Sequence, residues 1–304
     1  MGAGEGLDRL AVLAGRSWSL TELPGGLTNV NVRVTTDDDG DPALDLVVRC
    51  WRGDAGLLGI DREAEYLNTT AAAQAGVGAP VVEFRPDLGM LAIGFVTGRA
   101  LVDEDFADAD VMSRAAVAVR TLHQGPRFRG DFDMFARQAT YLATIRERGF
   151  RLPSGYESYA DRWEDVRRAL TVSHRPTVPC NNDLLAANFI DAGRKVWLID
   201  YEYSGNNDAT FELGNTVAEC GFSPAMTEAW AEAYFGTPTR ADLARVRLQA
   251  LCSCYGWSLW GFIQAAASPL DFDFWSWGLE RFEKAQEAFG ARDFNVLLRE
   301  AADA

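Results

Sequence analysis

Asp183, Asn188 and Asp200 form a pattern of oxygen-bearing side chains around a predicted β-hairpin. Asn188 follows Asp183 by five residues, and Asp200 closes the apolar run at 196–199. A turn at 191–195 would bring the two ends of the hairpin together. Amide and carboxylate oxygens suit Mg²⁺ beside phosphate and water, and Asp183 could accept the proton of a substrate hydroxyl, which is phosphoryl-transfer chemistry. The same residue types populate turns, so a purely structural role remains the alternative.

A glycine-rich turn, GGLTN at 25–29, lies between two predicted strands. Gly25 and Gly26 would let the backbone approach phosphate groups, and Thr28 or Asn29 could add hydrogen-bond donors. A plain hairpin turn is the alternative interpretation of a Gly-Gly pair.

Arg49 is a cation within the apolar strand VVRC. Burying this charge without a partner is costly, so we expect a carboxylate nearby. The following segment DREAE supplies Glu65, with Glu63 as the second choice, and such a pair could reach nucleotide phosphates. Lysine occurs only at 195 and 284, so a phosphate-binding cation in the first half must be arginine. The alternative is an edge-strand arginine whose head group reaches water.

Two regions of different secondary structure must position these residues. The β-rich region has a short helix at 7–14, strands at 17–23, 29–34, 43–51, 80–86 and 88–96, and one helix at 60–76. The helical region has helices at 108–124, 132–148, 155–172 and beyond 209, interrupted by the hairpin. We predict an α+β protein with a nucleotide-binding lobe at 1–96 and a helical lobe at 97–304 that carries the catalytic loop and acceptor site.

Charge and composition exclude several function classes. The net charge is −15 and the pI is about 4.6, which argues against nucleic acid as the partner because phosphate binding needs a basic surface. No apolar run reaches the ~18 residues of a membrane span. The N-terminus lacks the basic and apolar regions of a signal peptide, so we expect a cytoplasmic protein. With His123 and His174 as the only histidines, a His-rich metal site is excluded.

The order of the segments resembles that of the choline/ethanolamine kinase family, within the aminoglycoside-phosphotransferase branch of kinase-like folds. The resemblance runs from about residue 22 to residue 285 through PGGLTNVNVRV, VVRC, DREAEYLN, GVGAPVV, VAVRTLHQ, CNNDLLAANF, LIDYEYSGNND, FELGN and LWGFIQAAASPLDFDFWSWGLERF. It implies a bilobal, protein-kinase-like fold with a small antiparallel sheet, one helix and a larger helical lobe. It also implies an enzyme that uses ATP and Mg²⁺ to phosphorylate the hydroxyl of choline or ethanolamine, a small cationic amino alcohol.

The resemblance further implies roles for individual residues. Asp183 would be the catalytic base, and Asn188 and Asp200 would hold Mg²⁺. Arg49 would contact the ATP phosphates, oriented by Glu65. The adenine hinge would consist of Gly94, Phe95 and Val96.

One position departs from the family pattern. The family usually has Cys-His-Asn-Asp where this chain has Cys180-Asn181-Asn182-Asp183. The histidine normally shapes the loop through hydrogen bonds to the backbone. Because an asparagine side chain can both donate and accept, we expect activity to be retained.

Aromatic side chains cluster between 257 and 277. Trp257 and Trp260 are three residues apart on one predicted helix, and Phe274 and Trp277 repeat this spacing on the next, so each pair shares a helix face. Core packing is the ordinary reason for such a stripe. The alternative is a cage that binds a quaternary ammonium group by cation–π attraction.

The resemblance places these four aromatic side chains at the family's cage positions and adds Tyr203 and Glu219 to the cation site. The family often has tyrosine where this chain has Phe274 and Trp277, and both replacements keep an aromatic face. The resulting more apolar cage favours choline over ethanolamine, because a primary ammonium needs acceptors for its three protons.

Two alternative functions remain open. An aminoglycoside or amino-sugar phosphotransferase of the same fold would be favoured by an acidic acceptor site, and the clustered tryptophans disfavour it. A catalytically impaired nucleotide- or choline-binding protein would be favoured by Asn181, whereas the retained Asp183, Asn188 and Asp200 disfavour it. The sequence does not set the oligomeric state, and a homodimer is compatible with it.

Overall fold

The computed structural model describes residues 6–37, 42–51 and 55–303. The first part is a five-stranded antiparallel sheet in the order β1-β2-β3-β5-β4. Its strands are β1 (Trp18–Leu23), β2 (Asn29–Thr36), β3 (Asp45–Trp51), β4 (Val81–Arg85) and β5 (Met90–Gly94). Helix α1 (Arg62–Gln74) lies between β3 and β4 in the chain.

Alternating valines explain the sheet. Val30, Val32 and Val34 on β2 are buried, while residues between them are less so, as expected for a strand with one face against a core. Leucines from 7–14 join this core, but that segment forms two 3₁₀ turns rather than the predicted continuous short helix. Helix α1 begins where Asp61 accepts the backbone N–H groups of Glu63 and Ala64, both at 3.0 Å.

The second part of the chain is mainly helical. Its helices are α2 (Ala109–His123), α3 (Met134–Arg148), α4 (Ala160–Val172), α5 (Ala209–Glu219), α6 (Pro224–Phe235), α7 (Arg240–Ala267), α8 (Phe274–Gly290) and α9 (Phe294–Ala302). Helix α7 is buried over most of its length and packs against α3, α5, α8 and α9. None of the helices in the described ranges is long and apolar enough to cross a membrane.

Short strands carry the predicted hairpin. Strands β8 (Phe189–Asp191) and β9 (Val196–Leu198) pair antiparallel, and β6 (Arg99–Ala100) adds to β8. Two further strands, β7 (Val178–Cys180) and β10 (Gly205–Asn207), pair with each other. The Ile199 N–H donates to the Asn188 carbonyl at 3.0 Å, so the hairpin brings its ends together as predicted.

Candidate active site

A cavity of about 660 Å³ is lined by residues of both the sheet and the helical part. One set of lining residues comes from the glycine-rich turn and the strands β3 and β5, and another from the segment 183–203 and helices α5, α7 and α8. The cavity therefore brings together most of the residues that the sequence singles out. Asn29, Glu65 and Phe274 are buried behind its surface.

Side chains of helix α5 hold the backbone of the predicted catalytic loop, residues 181–188, called the catalytic loop below. The two carboxylate oxygens of Glu212 accept the N–H groups of Asn181 at 2.8 Å and Asn182 at 2.7 Å. Asn215, one turn further along α5, accepts the Leu184 N–H at 2.8 Å. Burial raises the pKa of Glu212 to about 7, while the two backbone N–H groups act to lower it. The backbone on both sides of Asp183 is thus fixed by one helix.

Asn181 connects the catalytic loop to the end of β9. Its side-chain amide nitrogen donates to the carbonyls of Ile199 at 3.0 Å and Asp200 at 2.8 Å. Its side-chain oxygen accepts the Asp183 N–H at 3.1 Å. Asn181 therefore makes the backbone hydrogen bonds that shape the loop around Asp183, using both halves of its amide.

Asp183 and Asn188 both lie in the catalytic loop and are joined by a hydrogen bond. The Asn188 side-chain nitrogen donates to the Asp183 carbonyl at 2.7 Å, which leaves the amide oxygen of Asn188 for a cation. Burial, and then the negative charges of Glu219, Asp200 and Glu202, raise the pKa of Asp183 well above its ordinary value. A carboxylate whose pKa is raised toward the working pH is a stronger proton acceptor as long as it stays ionised.

Asp200 adopts a left-handed backbone conformation, with φ of 64°, and its side chain is 27% exposed. Together with Asn188 it offers carboxylate and amide oxygens, the donor set that Mg²⁺ prefers. No cluster of three His, Cys, Asp or Glu side chains suited to a metal occurs among the described residues. A metal held here would consequently need oxygen ligands from phosphate and water as well.

Arg49 lies among three carboxylates. Its Nε is 3.1 Å from Glu65 Oε1, and its Nη2 is 2.8 Å from Asp200 Oδ1 and 3.5 Å from Glu202 Oε2. Burial acts to lower the pKa of Arg49, but the three carboxylates outweigh it and raise the pKa. The second choice for its partner, Glu63, instead pairs with Arg129 on the surface.

Glu202 is a site residue that the sequence analysis missed. It accepts hydrogen bonds from the Thr28 hydroxyl at 2.7 Å, the Asn29 amide at 2.9 Å and Arg62 at 3.3 Å. Burial and the Asp200 charge raise its pKa to about 7. The glycine-rich turn is thereby attached to the helical part. The only sequence signal was a second acidic residue two positions after Asp200.

The other end of the cavity is apolar and flanked by the predicted hinge. Gly94, Phe95 and Val96 line it, together with Val47, Ala79, Ile93, Leu185, Ile190 and Ile199. The N–H groups of Gly94 and Phe95 donate to the carbonyls of Pro80 at 2.8 Å and Asp45 at 2.9 Å. These bonds fix the backbone of the predicted hinge beside the apolar lining, which suits a purine base.

Three tryptophans, Trp257, Trp260 and Trp277, and Tyr203 line the cavity where the acceptor site is predicted, which is called the acceptor end below. Trp260 donates its ring N–H to the Tyr203 hydroxyl at 2.8 Å, and Tyr203 packs edge-on against Trp257 with ring centroids 4.9 Å apart. The Trp260 and Trp277 centroids are 5.1 Å apart. Phe274 packs edge-on against Trp260 at 5.6 Å and supports it from behind.

Helices α7 and α8 cross closely at this point. A Cβ added at Gly261 would lie 2.8 Å from the Gly278 Cα and 2.9 Å from the Trp277 ring, so only glycine allows this approach. Beyond Trp277, Arg281 also lines the cavity and pairs with Glu219, which the sequence analysis did not anticipate. Its sequence signal was the four-residue spacing from Trp277, one helical turn.

Comparison with known proteins agrees with this geometry. The sheet with one helix followed by a helical part is the α+β kinase-like fold. The sequence profile of the choline/ethanolamine kinase family matches residues 20–233 of the 304 residues. The chain belongs to the choline/ethanolamine kinase family and is an ATP-dependent phosphotransferase.

Individual relatives cover most of the chain. A protein from Arabidopsis thaliana named probable ethanolamine kinase is 25% identical over 297 residues, which span 88% of this chain and 78% of the relative. A crystal structure of a choline/ethanolamine kinase family protein from Mesorhizobium loti is 30% identical, with a TM-score of 0.85 and coverage of 99% and 98% of the two chains. Choline kinase LicA from Streptococcus pneumoniae is 22% identical and shares the fold at a TM-score of 0.75, with coverage of 90% and 93%.

Proposed function

We propose that the protein transfers the γ-phosphoryl group of Mg²⁺·ATP to the hydroxyl of a small amino alcohol and prefers choline to ethanolamine. The observation that carries this preference is that polar groups at the acceptor end already pair with other protein side chains. The Trp260 N–H is used by Tyr203, and the Glu219 carboxylate is used by Arg281. What remains is largely aromatic surface, which binds a quaternary ammonium but offers few acceptors to the three protons of a primary one.

Asp183 is the proposed base. Its backbone N–H is held by the Asn181 side chain, and in its ionised form the carboxylate would accept the proton of the substrate hydroxyl as that oxygen attacks phosphorus. Arg49, oriented by Glu65, would supply positive charge to the phosphates. Asn188 and Asp200 would hold Mg²⁺, which when bound neutralises phosphate charge. The predicted hinge and the apolar lining beside it would receive the adenine.

The test is ADP release from Mg·ATP with choline, ethanolamine, an amino sugar or no acceptor. We expect acceptor-dependent turnover with the highest kcat/KM for choline. Asp183→Asn should lower kcat by about 10²–10⁴-fold, the usual contribution of a general base. Asp110→Asn is the matched control, because Asp110 is an exposed carboxylate paired with Arg114 on α2.

Other outcomes discriminate between the possibilities. A higher kcat/KM for ethanolamine would overturn the preference and leave the kinase activity intact. Turnover with the amino sugar alone would overturn the amino-alcohol acceptor. Full activity of Asp183→Asn would remove Asp183 from the role of base.

A further inference from the structure

Arg281 is a fixed cation inside the site proposed for the substrate's cation. It lies on α8, one turn after Trp277, and its guanidinium carbon is 3.4 Å from the centroid of the Trp277 ring. Its side chain is only 13% exposed, and it lines the same cavity as Trp257 and Trp260. One face of Trp277 is therefore already covered by a cation of the protein itself.

The same guanidinium group also pairs with the carboxylate of Glu219. Its Nε is 3.3 Å from Glu219 Oε1, and its Nη2 contacts Glu219 Oε2. Glu219 is the last residue of α5, and its side chain is 8% exposed. Both oxygens of this nearly buried carboxylate are thus engaged by one arginine, the two-pronged geometry that Arg forms with carboxylates.

The other carboxylates that line the cavity are also paired, apart from the base. Asp200 and Glu202 contact Arg49, and Glu202 also contacts Arg62. Among the described lining residues, Asp183 is the carboxylate for which no arginine pairing is found. An incoming primary ammonium would compete with Arg281 for Glu219 or take the carboxylate that must accept the hydroxyl proton.

We propose that Arg281 is the specificity-determining residue of the acceptor site, because it withholds Glu219 from primary ammonium groups and leaves aromatic faces for quaternary ones. This inference rests on the proposed amino-alcohol kinase activity. Arg281 acts through Glu219 and Trp277, so it is a positioning residue. A quaternary ammonium needs no hydrogen-bond acceptor and is affected little by the loss of Glu219. A primary ammonium loses a hydrogen bond to a charged group, which changes affinity by about tenfold or more.

The test is the ratio of kcat/KM for ethanolamine to that for choline in Arg281→Met, which keeps the length of the side chain and removes its charge and donors. We expect this ratio to rise about tenfold or more, through a lower KM for ethanolamine, with the KM for ATP unchanged. Adding Glu219→Gln to Arg281→Met should cancel most of the gain. The control is Arg247→Met, because Arg247 pairs with Asp293 where both side chains are nearly half exposed.

The possible failures can be separated. General damage to the fold would lower turnover with both acceptors and leave their ratio unchanged. If Arg281→Met does not fold, Arg281→Lys should shift the ratio in the same direction by less, because one ammonium cannot hold both Glu219 oxygens. An unchanged ratio in an active, folded variant overturns the role of Arg281 alone.

Ligand affinities test the role of Arg281 even if the wild type shows no turnover. If the wild type turns over neither amino alcohol, the proposed function fails. The affinities of choline and ethanolamine are then measured by calorimetry for the wild type and for Arg281→Met, and the ratio of the two affinities replaces the ratio of kcat/KM values. An Arg281→Met shift toward ethanolamine binding would then still support the inference. A wild type that binds neither compound would overturn the inference as well.

Discussion

The Asn181 side chain donates to the backbone carbonyl of Asp200 at 2.8 Å and thereby joins the catalytic loop to the candidate metal ligand. The other half of the same amide accepts the Asp183 N–H at 3.1 Å. Position 181 is where the family usually has histidine, so the structure provides a physical reason for expecting catalysis with asparagine. The proposed base, Asp183, and the proposed metal ligand, Asp200, are thus both positioned by the side chain of Asn181.

We predict that Asn181→Ala lowers kcat by tenfold or more while the free energy of unfolding falls by about 1–3 kcal/mol, the cost of leaving buried backbone groups unpaired. Asn181→His should retain most of the activity, because imidazole also donates and accepts. Steady-state kinetics and urea unfolding measure both effects. Wild-type kcat in Asn181→Ala would show that Asn181 does not position Asp183.

Glu212→Gln tests the attachment of the catalytic loop to α5. A glutamine would direct an NH₂ group at one of the two backbone N–H donors that the carboxylate now accepts. We expect a loss of about 1–3 kcal/mol in the free energy of unfolding, because one hydrogen bond is lost and its backbone N–H is left without an acceptor. A fall in kcat with little change in either KM should accompany it. Glu228→Gln, an exposed change on α6, is the control, and equal kinetics of the two variants would contradict the prediction.

Trp260→Leu should weaken the binding of the acceptor without affecting ATP. A cation–π contact contributes about 0.5–2 kcal/mol, so we expect the KM for choline to rise between about twofold and thirtyfold. The affinity for 3,3-dimethylbutanol, a neutral compound of the same shape, should fall less because it has no charge. Trp275→Leu is the control, since Trp275 packs against Phe262 and Arg151 away from the cavity lining. Equal losses for the charged and neutral compounds would reduce Trp260 to a packing role.

His123 makes stability depend on pH. It is buried beside Tyr234, with Nδ1 2.6 Å from the tyrosine hydroxyl, and burial lowers its pKa from 6.5 to about 3, opposed by the Asp208 charge. Below pH 6.5 the unfolded chain binds a proton at His123 that the folded chain does not, so the contribution of His123 to stability is full above this pH and falls by about 1.4 kcal/mol per pH unit as acidity increases toward pH 3. Glu202 and Glu212, whose pKa values are raised to about 7, contribute in the opposite direction, so this slope should appear in the difference between the unfolding free energies of the wild type and a His123 variant, measured with urea at pH 7, 6 and 5.

Two variants isolate the histidine responsible. His123→Gln should remove that contribution, so its unfolding free energy should fall less, or rise more, on acidification than that of the wild type, by about 1.4 kcal/mol per pH unit below pH 6.5. His174→Gln, which changes an exposed histidine after α4, should preserve the wild-type slope. Identical slopes in all three proteins would show that other groups set the acid sensitivity.

Local signals predicted the main elements of the fold. Alternating valines in β2 and Gly76 after α1 each act within a few residues, and the hairpin between Asn188 and Asp200 follows from its turn. The short strands β6, β7 and β10 were missed, because two or three residues carry too little periodicity to identify a strand. The division of the chain at 96/97 remains a prediction.

The contacts of Glu202 and Arg281 in the candidate site could not be predicted from the sequence, because they join residues far apart in the chain. Thr28 and Glu202 are 174 residues apart in the chain, and Arg281 and Glu219 are 62 apart. No spacing rule connects such residues. Helical periodicity also grouped Phe274 with Trp277, but Phe274 is the first residue of α8 and packs behind Trp260, so a shared face did not mean shared access to the cavity.

The cavity shared by the two proposed substrates has a stereochemical consequence. Because Val96 of the predicted hinge and Trp277 line the same cavity, the two substrates would meet without a protein wall between them. The acceptor oxygen can then attack phosphorus directly from the side opposite the departing ADP. We expect a chiral thiophosphoryl group to be transferred with inversion of configuration, whereas retention would reveal a covalent phosphoenzyme.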